Sequence, residues 1–144
     1  GGLRPELVPG EIILTDGAFN DTAVARLYGY DYDIIHSSKD LTNEIESMIT
    51  SAEIPYKRGI HWTTDAGYRE TWGQVMDYRD KGALCVEMEG VGLFTIANYR
   101  KCVATGIYVV SDVYSENDWK LGWEGNDIKR AVGAVIDMII ESIR

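Results

Sequence analysis

The chain of 144 residues contains only two cysteines and two histidines. Cys85 and Cys102 lie inside hydrophobic runs and lack the spacing of metal ligands, so we expect buried, reduced thiols. His36 and His61 stand far apart and have no cysteine partners, which argues against a structural zinc site. We expect both histidines to be hydrogen-bonded scaffold residues.

Basic side chains and long hydrophobic runs are also scarce. Fourteen Lys and Arg stand against 23 Asp and Glu, for a net charge of −9. Nucleic acids and anionic membrane surfaces need clustered basic groups, so neither is expected as a partner. The longest apolar stretches, 102–110 and 131–140, are shorter than a membrane span. We recognise no secretory signal and expect a cytoplasmic protein.

Apolar strands that alternate with amphipathic helices predict an α/β fold. The expected strands cover 11–15, 56–64, 84–88 and 102–111. The expected helices cover 41–52, 71–80 and 90–99, and a last helix begins at Asn126 or Asp127. We expect loops at 16–39, with a helical turn near 23–28, and at 113–125, which includes Trp119 and Trp123. This order predicts a three-layer αβα sandwich around a mostly parallel mixed sheet, in a single domain over residues 1–144.

Acidic side chains end two of the apolar runs. Glu87-Met88-Glu89 ends the run that begins at Ala83, and Ser111-Asp112 ends the run that begins at Val103. In open α/β sheets, ligands bind outside the carboxyl ends of the strands. The two groups of acids therefore predict a polar-lipped pocket at that edge of the sheet.

The residue types at these strand ends suit a sugar and a leaving group. One carboxylate can accept two hydrogen bonds in a plane, which fits the 2′ and 3′ hydroxyls of a ribose. The thioether of Met88 offers a soft apolar surface for a sugar ring. Burial disfavours the charged form of a carboxyl, so Asp112 could stay protonated and act as a general acid.

Three segments, in this order, resemble the purine nucleoside phosphorylase and uridine phosphorylase superfamily. They are Trp62 to Thr71 (WTTDAGYRET), Val86 to Gly90 (VEMEG) and Val109 to Asp112 (VVSD). The resemblance implies a phosphorylase/hydrolase-like fold and cleavage of the N-glycosidic bond with phosphate, giving free base and ribose 1-phosphate. It implies no metal and no cofactor beyond phosphate as co-substrate. It also implies a homo-oligomer, whether dimer, trimer or hexamer.

The resemblance further implies roles for individual residues. Asp112 would protonate N7 of a purine as the bond to C1′ breaks. Glu89 would hold the ribose hydroxyls above Met88, while Glu87 braces the site. The implied substrate-binding set is Tyr68, Arg69, Val86, Glu87, Met88, Glu89 and Ser111. Within this set, Tyr68 and Val86 would line the base pocket.

Structural explanations compete with these roles. Glu89, and Glu87 as well, could serve as helix caps or ion-pair partners, because acids before a helix complement its dipole. Asp112 could be a turn residue. Asp65 is expected to organise the loop that follows it.

The function itself has alternatives. A purine substrate is favoured over uridine, because only a purine has an N7 to protonate. Gly1-Gly2-Leu3-Arg4-Pro5 aligns just after the family's second phosphate motif, so we expect a phosphorylase domain that lacks its N-terminal phosphate-loop portion. The alternatives are a nucleosidase that uses water, and a catalytically incomplete nucleoside-binding fragment or subunit.

Overall fold

The computed structural model of the protein describes residues 1–115, 118–122 and 125–143. The strands are β1 (Ile12–Asp21), β2 (Ile34–His36), β3 (Tyr56–Thr64), β4 (Val86–Glu87), β5 (Ile107–Val109), β6 (Asp112–Ser115) and β7 (Asp118–Leu121). The helices are α1 (Val24–Leu27), α2 (Lys39–Ser51), α3 (Trp72–Asp80), α4 (Gly90–Arg100) and α5 (Asn126–Ser142), with a 3₁₀ turn at Gly67–Arg69. No helix in the described ranges is long and apolar enough to cross a membrane.

Five strands form the central sheet, in which β1 pairs with three neighbours. The order is β2-β1-β3-β4, and β5 pairs with the part of β1 that β2 leaves open. The β1–β3 and β3–β4 pairs are parallel, whereas β2 and β5 run antiparallel to β1. The α/β fold and the mixed sheet flanked by helices are thus confirmed.

β1 packs apolar side chains on both faces of the sheet and contains a bulge. The register with β3 shifts between Thr15 and Gly17. Leu14, before the bulge, packs with Ile49 of α2 and Met138 of α5. Ala18, after it, lies in a cluster with α1 and α4. Because an extra residue inverts the alternation of a strand, Leu14 and Ala18 face opposite sides of the sheet although they lie four residues apart.

Glycine is required at this bulge. Gly17 has a φ of 151°, and a Cβ there would lie 2.7 Å from the carbonyl oxygen of Ile35. The bulge also explains why the prediction of a loop at 16–39 is wrong. The strand continues to Asp21 and pairs with β2, but the broken alternation hides this in the sequence.

Two predicted strands are shorter in the structure, and one predicted loop contains strands. The strands predicted at 84–88 and 102–111 shorten to β4 and β5, and the loop predicted at 113–125 contains the β6–β7 hairpin. Trp123 of that predicted loop lies outside the described residues. The helix predicted at 71–80 is confirmed as α3. Thr71 and Gln74 form a capping box that stabilises its start.

The two cysteines lie in different environments. Cys85 is buried, as expected, and burial raises the pKa of its thiol to about 12. Cys102 is exposed, so the prediction of a second buried thiol is wrong. The apolar run around it does not enter the sheet until Ile107.

Candidate functional site

A cavity of about 160 Å³ lies where the two predicted strand ends meet. Val86 and Glu87 of β4 line it from one side, and Tyr108, Val110 and Ser111 line it from the other. The structure therefore brings the segments that end in Glu87 and Ser111 to one hollow, although they lie far apart in the sequence.

Glu87 forms the centre of a hydrogen-bond network beneath this cavity. Its Oε1 accepts from the Thr63 hydroxyl and lies 3.0 Å from Nε2 of His61. Its Oε2 accepts from the backbone N–H groups of Glu89, at 2.8 Å, and Gly90, at 2.7 Å. Four donors match the acceptor capacity of a carboxylate, so Glu87 is fully committed to protein partners.

This network also sets the charge of Glu87. Burial by itself raises the pKa of the Glu87 carboxyl, but the hydrogen bonds from His61 and Thr63 outweigh it and bring the pKa below its ordinary value. Two of the four bonds come from the start of α4, where an anion is favoured by the helix dipole. Glu87 is therefore a carboxylate that fixes the start of α4.

Met88 and Glu89 project from the turn that Glu87 holds. Both side chains are exposed, and Oε2 of Glu89 accepts from the backbone N–H of Met88 at 3.2 Å. The 3₁₀ turn comes close to this pair, because a Cβ on Gly67 would lie 3.5 Å from Sδ of Met88. The exposed Glu89 carboxylate thus has acceptor capacity for a solute.

Asp112 lies on the other wall, next to the cavity residue Ser111. Its side chain is buried, with the residue only 5% exposed. The Ser111 hydroxyl donates to Oδ1 of Asp112 at 2.5 Å. The backbone of Gly1 also approaches this region, since its nitrogen donates to the Val86 carbonyl at 2.9 Å and lies 3.8 Å from Oδ1 of Asp112.

Tyr68 and Arg69 sit on the 3₁₀ turn with their side chains exposed, and neither lines the cavity. The turn is held in place by residues on either side of it. Asp65 accepts from the backbone N–H of Ala23 at 2.7 Å, consistent with its expected role in organising the loop.

On the far side of the turn, Glu70 accepts from the Tyr114 hydroxyl at 2.8 Å. Burial and this bond raise the pKa of Tyr114. The hydrogen bond joins the loop after β3 to strand β6, which also carries Asp112. The loop, β4 and β6 therefore form one connected rim.

Larger hollows also lie elsewhere on the molecule. A groove of about 660 Å³ between α5 and the first residues of β1 and β3 contains none of the predicted site residues. A hollow of about 400 Å³ follows the end of β1 and is lined by four aspartates together with Arg26. Its acidic lining does not suit an anion such as phosphate.

His61 is a hydrogen-bonded scaffold residue, as expected, but sequence reasoning did not place it or Thr63 under the site. His61 and Thr63 point to the same face of β3, and Tyr108 of β5 lies 4.7 Å from the His61 ring, centroid to centroid. Polar residues at alternate positions of a buried strand are the signal that could have revealed them. Within the described ranges, no group of three or more His, Cys, Asp or Glu could hold a metal ion.

The family follows from a comparison with known sequences. The sequence model of the phosphorylase superfamily matches residues 1–141. The chain belongs to this superfamily. A DeoD-type purine nucleoside phosphorylase from Exiguobacterium sibiricum is 31% identical over 114 residues, which cover 78% of this chain and 48% of that protein. One from Buchnera aphidicola is 23% identical over 99% of this chain and 60% of its own length.

Solved structures share the fold of this superfamily member. The purine nucleoside phosphorylase of Toxoplasma gondii, solved in complex with immucillin-H, superposes with a TM-score of 0.85 at 18% identity, over 96% of this chain and 57% of that one. The P. knowlesi homologue of the P. falciparum enzyme superposes with a TM-score of 0.78 at 21% identity, over 98% and 56%. The chain spans about half the length of the curated relatives it matches.

Proposed function

We propose that this chain forms a single phosphorylase domain that supplies the nucleoside-binding and acid-catalytic part of a purine nucleoside phosphorylase. The observation that carries the proposal is the shared cavity, which Val86 and Glu87 line opposite Ser111, beside the buried Asp112. Superfamily membership and the DeoD-type relatives support the same reaction class.

In the proposed reaction, the nucleoside lies between the two walls of the cavity. The exposed Glu89 carboxylate accepts from the ribose hydroxyls, and Met88 contacts the sugar ring. Val86 contacts the base from the cavity, with Tyr68 and Arg69 as the predicted contacts from the 3₁₀ turn. Glu87 takes no part in binding, because its oxygens already accept four hydrogen bonds.

The chemical step is a displacement at C1′. A phosphate oxygen forms the new bond to C1′ while the bond to N9 of the purine breaks, and the bonding electrons leave with the base. Asp112 gives its proton to N7, so the base departs neutral, and stabilising this departing charge lowers the barrier. The Ser111 hydroxyl orients the Asp112 carboxyl through its bond to Oδ1.

Substituting Asp112 tests the acid step. Asp112→Asn keeps the size of the side chain but has no acid proton to transfer. Loss of a general acid slows reactions by about 10²- to 10⁴-fold, and we expect a loss of that order with inosine as substrate. The exposed Asp137→Asn on α5 is the matched control and should keep wild-type turnover. Equal turnover in both variants would remove Asp112 from the mechanism.

A substrate panel tests the reaction class. Inosine, adenosine, guanosine and uridine are each incubated with and without phosphate, and released base is measured by chromatography, with inosine binding measured in parallel by calorimetry. Phosphate-dependent base release supports phosphorolysis, whereas release without phosphate identifies a nucleosidase. Binding without release identifies a nucleoside-binding chain that does not turn over by itself. Absence of inosine binding contradicts the proposal.

The assembly implied by the resemblance remains a prediction. A homo-oligomer would elute from size-exclusion chromatography with a light-scattering mass that is a multiple of 16.1 kDa. A mass of one chain across the micromolar range would contradict it.

A further inference from the structure

A buried histidine connects the candidate site to the core of the sheet. His61 is 0% exposed and lies between Thr15 of β1 and Glu87 of β4. Its ring also contacts Tyr108 of β5 and Phe94 of α4, with centroids 4.7 and 6.2 Å away. Both ring nitrogens therefore face protein groups, and their partners decide how many protons the ring carries.

The Thr15 side requires a proton on Nδ1. The Thr15 hydroxyl has one hydrogen, which it donates to the Gly17 carbonyl at 2.8 Å, and its oxygen also accepts from the Gly17 N–H at 3.0 Å. Nδ1 of His61 lies 2.7 Å from the same oxygen. A carbonyl can only accept, so when Thr15 donates its proton to Gly17, Nδ1 is the donor to Thr15.

The Glu87 side requires a proton between Nε2 and Oε1. These atoms lie 3.0 Å apart, and a bare lone pair on Nε2 would face a carboxylate oxygen. The Thr63 hydroxyl cannot supply a second proton, because it already donates to Glu87 and its oxygen accepts from the Val91 N–H at 3.2 Å. The carboxyl already accepts from Thr63 and from two N–H groups at the start of α4, where an anion is favoured, so the proton lies on the ring and not on the carboxyl.

Tyr108, the other titratable group in contact with the His61 ring, does not change the number of protons on the ring. Burial, the negative charge of Glu87 and a hydrogen bond to Glu87 raise the pKa of Tyr108, so the phenol stays neutral and its O–H serves the carboxylate, not Nε2. In the described part of the chain, Glu87 from β4 and Tyr108 from β5 are the titratable groups in contact with His61, while β1 and α4 present Thr15 and Phe94.

We propose that His61 is a doubly protonated positioning residue whose Nε2–H holds Oε1 of Glu87, so that Oε2 fixes the turn carrying Met88 and Glu89. The positioning role rests on the proposed nucleoside-binding function, whereas the protonation state does not. Rotation of the Glu87 carboxyl would release the N–H groups of Glu89 and Gly90. The backbone from which the Glu89 side chain projects would then no longer be held in place.

The fit at Gly90 supports this arrangement. A Cβ on Gly90 would lie 2.9 Å from the Tyr108 hydroxyl and 3.0 Å from Oε1 of Glu87, and it would overlap Nε2 of His61. The first residue of α4 is therefore packed against the imidazole–carboxylate pair itself. A shift in the pair is transmitted directly to the start of the helix and to the residues before it.

Nitrogen NMR of the wild-type chain tests the protonation state. In ¹⁵N-labelled protein at pH 7, long-range proton–nitrogen spectra distinguish a ring with two N–H groups from either neutral tautomer. The chain has two histidines, so a His36→Gln variant assigns the exposed one. We expect both His61 nitrogens to be protonated. An unprotonated Nε2 overturns the proposal, whatever the activity of the chain.

A pair of isosteric variants tests the positioning role. The amide of His61→Gln can place an N–H near the Nε2 position and keep the bond to Glu87, whereas His61→Asn can keep only the contact on the Nδ1 side. We expect inosine affinity within about threefold of wild type for Gln, and a Kd raised about tenfold, or about 1.4 kcal/mol, for Asn. Thermal unfolding of both variants checks that each is folded.

The outcomes separate this proposal from the function on which it rests. Equal inosine affinity in the Gln and Asn variants overturns the positioning role, because a purely structural histidine would not distinguish the two amides. If the wild type binds no inosine, the proposed function fails, and the nitrogen spectra alone decide the protonation state. If inosine binds but Nε2 carries no proton, the proposal about His61 fails by itself.

Discussion

Replacing Glu87 with glutamine tests the network under the candidate site most directly. The substitution keeps the shape of the side chain but exchanges one acceptor oxygen for an NH₂ group. Glu87 accepts from four donors, two at each oxygen, so two donors face the NH₂ group in either orientation of the amide. The variant also removes the negative charge opposite His61.

The cost follows from these lost acceptors. Each buried donor left without a partner costs about 1–3 kcal/mol. Removing one member of a buried ion pair costs about 3–5 kcal/mol. These estimates describe the same contacts and are not added, so we expect Glu87→Gln to lower the free energy of unfolding by about 3–5 kcal/mol. That is a large part of the 5–15 kcal/mol that stabilises a typical domain, by a rough estimate.

Urea denaturation at pH 7 measures this loss, and Glu44→Gln provides the control. Glu44 is exposed on α2, so the same exchange of atoms there should change stability by less than about 0.5 kcal/mol. If Glu87→Gln unfolds at the same urea concentration as Glu44→Gln, the account of Glu87 as a fully committed acceptor is wrong.

The difference in the free energy of unfolding between wild type and Glu87→Gln should also depend on pH, which gives a second check. The pKa of Glu87 is lower in the folded state than its ordinary value of 4.5. Such a group contributes stability that is fully present above the unfolded pKa and is lost as pH falls through the folded one. The gap between wild type and Glu87→Gln should therefore be full at pH 7 and shrink below about pH 4.5. A gap that widens as the pH falls below about 4.5 would contradict the direction of the shift.

Two further predictions concern α4 and the cysteines. Gly90→Ala should lower stability by about 1–3 kcal/mol, because its Cβ would meet Tyr108, whereas Gly92→Ala on the same helix should raise it by up to about 1 kcal/mol. Thermal unfolding of the two variants checks this, and a stabilised Gly90→Ala would refute the close packing. Iodoacetamide at pH 8 should modify the exposed Cys102 and spare Cys85, whose thiol has its pKa raised by burial. Mass spectrometry should show one adduct in the native protein and two in urea; two native adducts would show that Cys85 is accessible.

The regular elements were the part of the fold that the sequence could predict. Thr71 and Gln74 form the capping box that starts α3, and the apolar period of α2 and α5 predicted both helices. β3 matches the predicted range 56–64 residue for residue. These elements depend on neighbours a few residues away, so local patterns suffice to locate them.

The elements that depend on distant partners were missed. β2 has three residues and exists because it pairs with the second half of β1 across the bulge. The β6–β7 hairpin pairs two segments of mixed polar and aromatic residues that look like a loop in the sequence. Cys102 lies in an apolar run but stays exposed, because the chain joins the sheet only at Ile107. In each case the deciding contact joins residues that no short window contains.

By itself, the sequence determined the superfamily and the residue types at the two strand ends, because both are carried by short motifs such as 86–90 and 109–112. Only the tertiary structure decided what each acid does. Four donors from β3 and the start of α4 converge on Glu87, whereas Glu89, two residues further on, stays exposed. The physical reason is that a carboxylate's role depends on how many donors already occupy its oxygens, and two of these donors, His61 and Thr63, lie on a strand that meets β4 only in the folded chain.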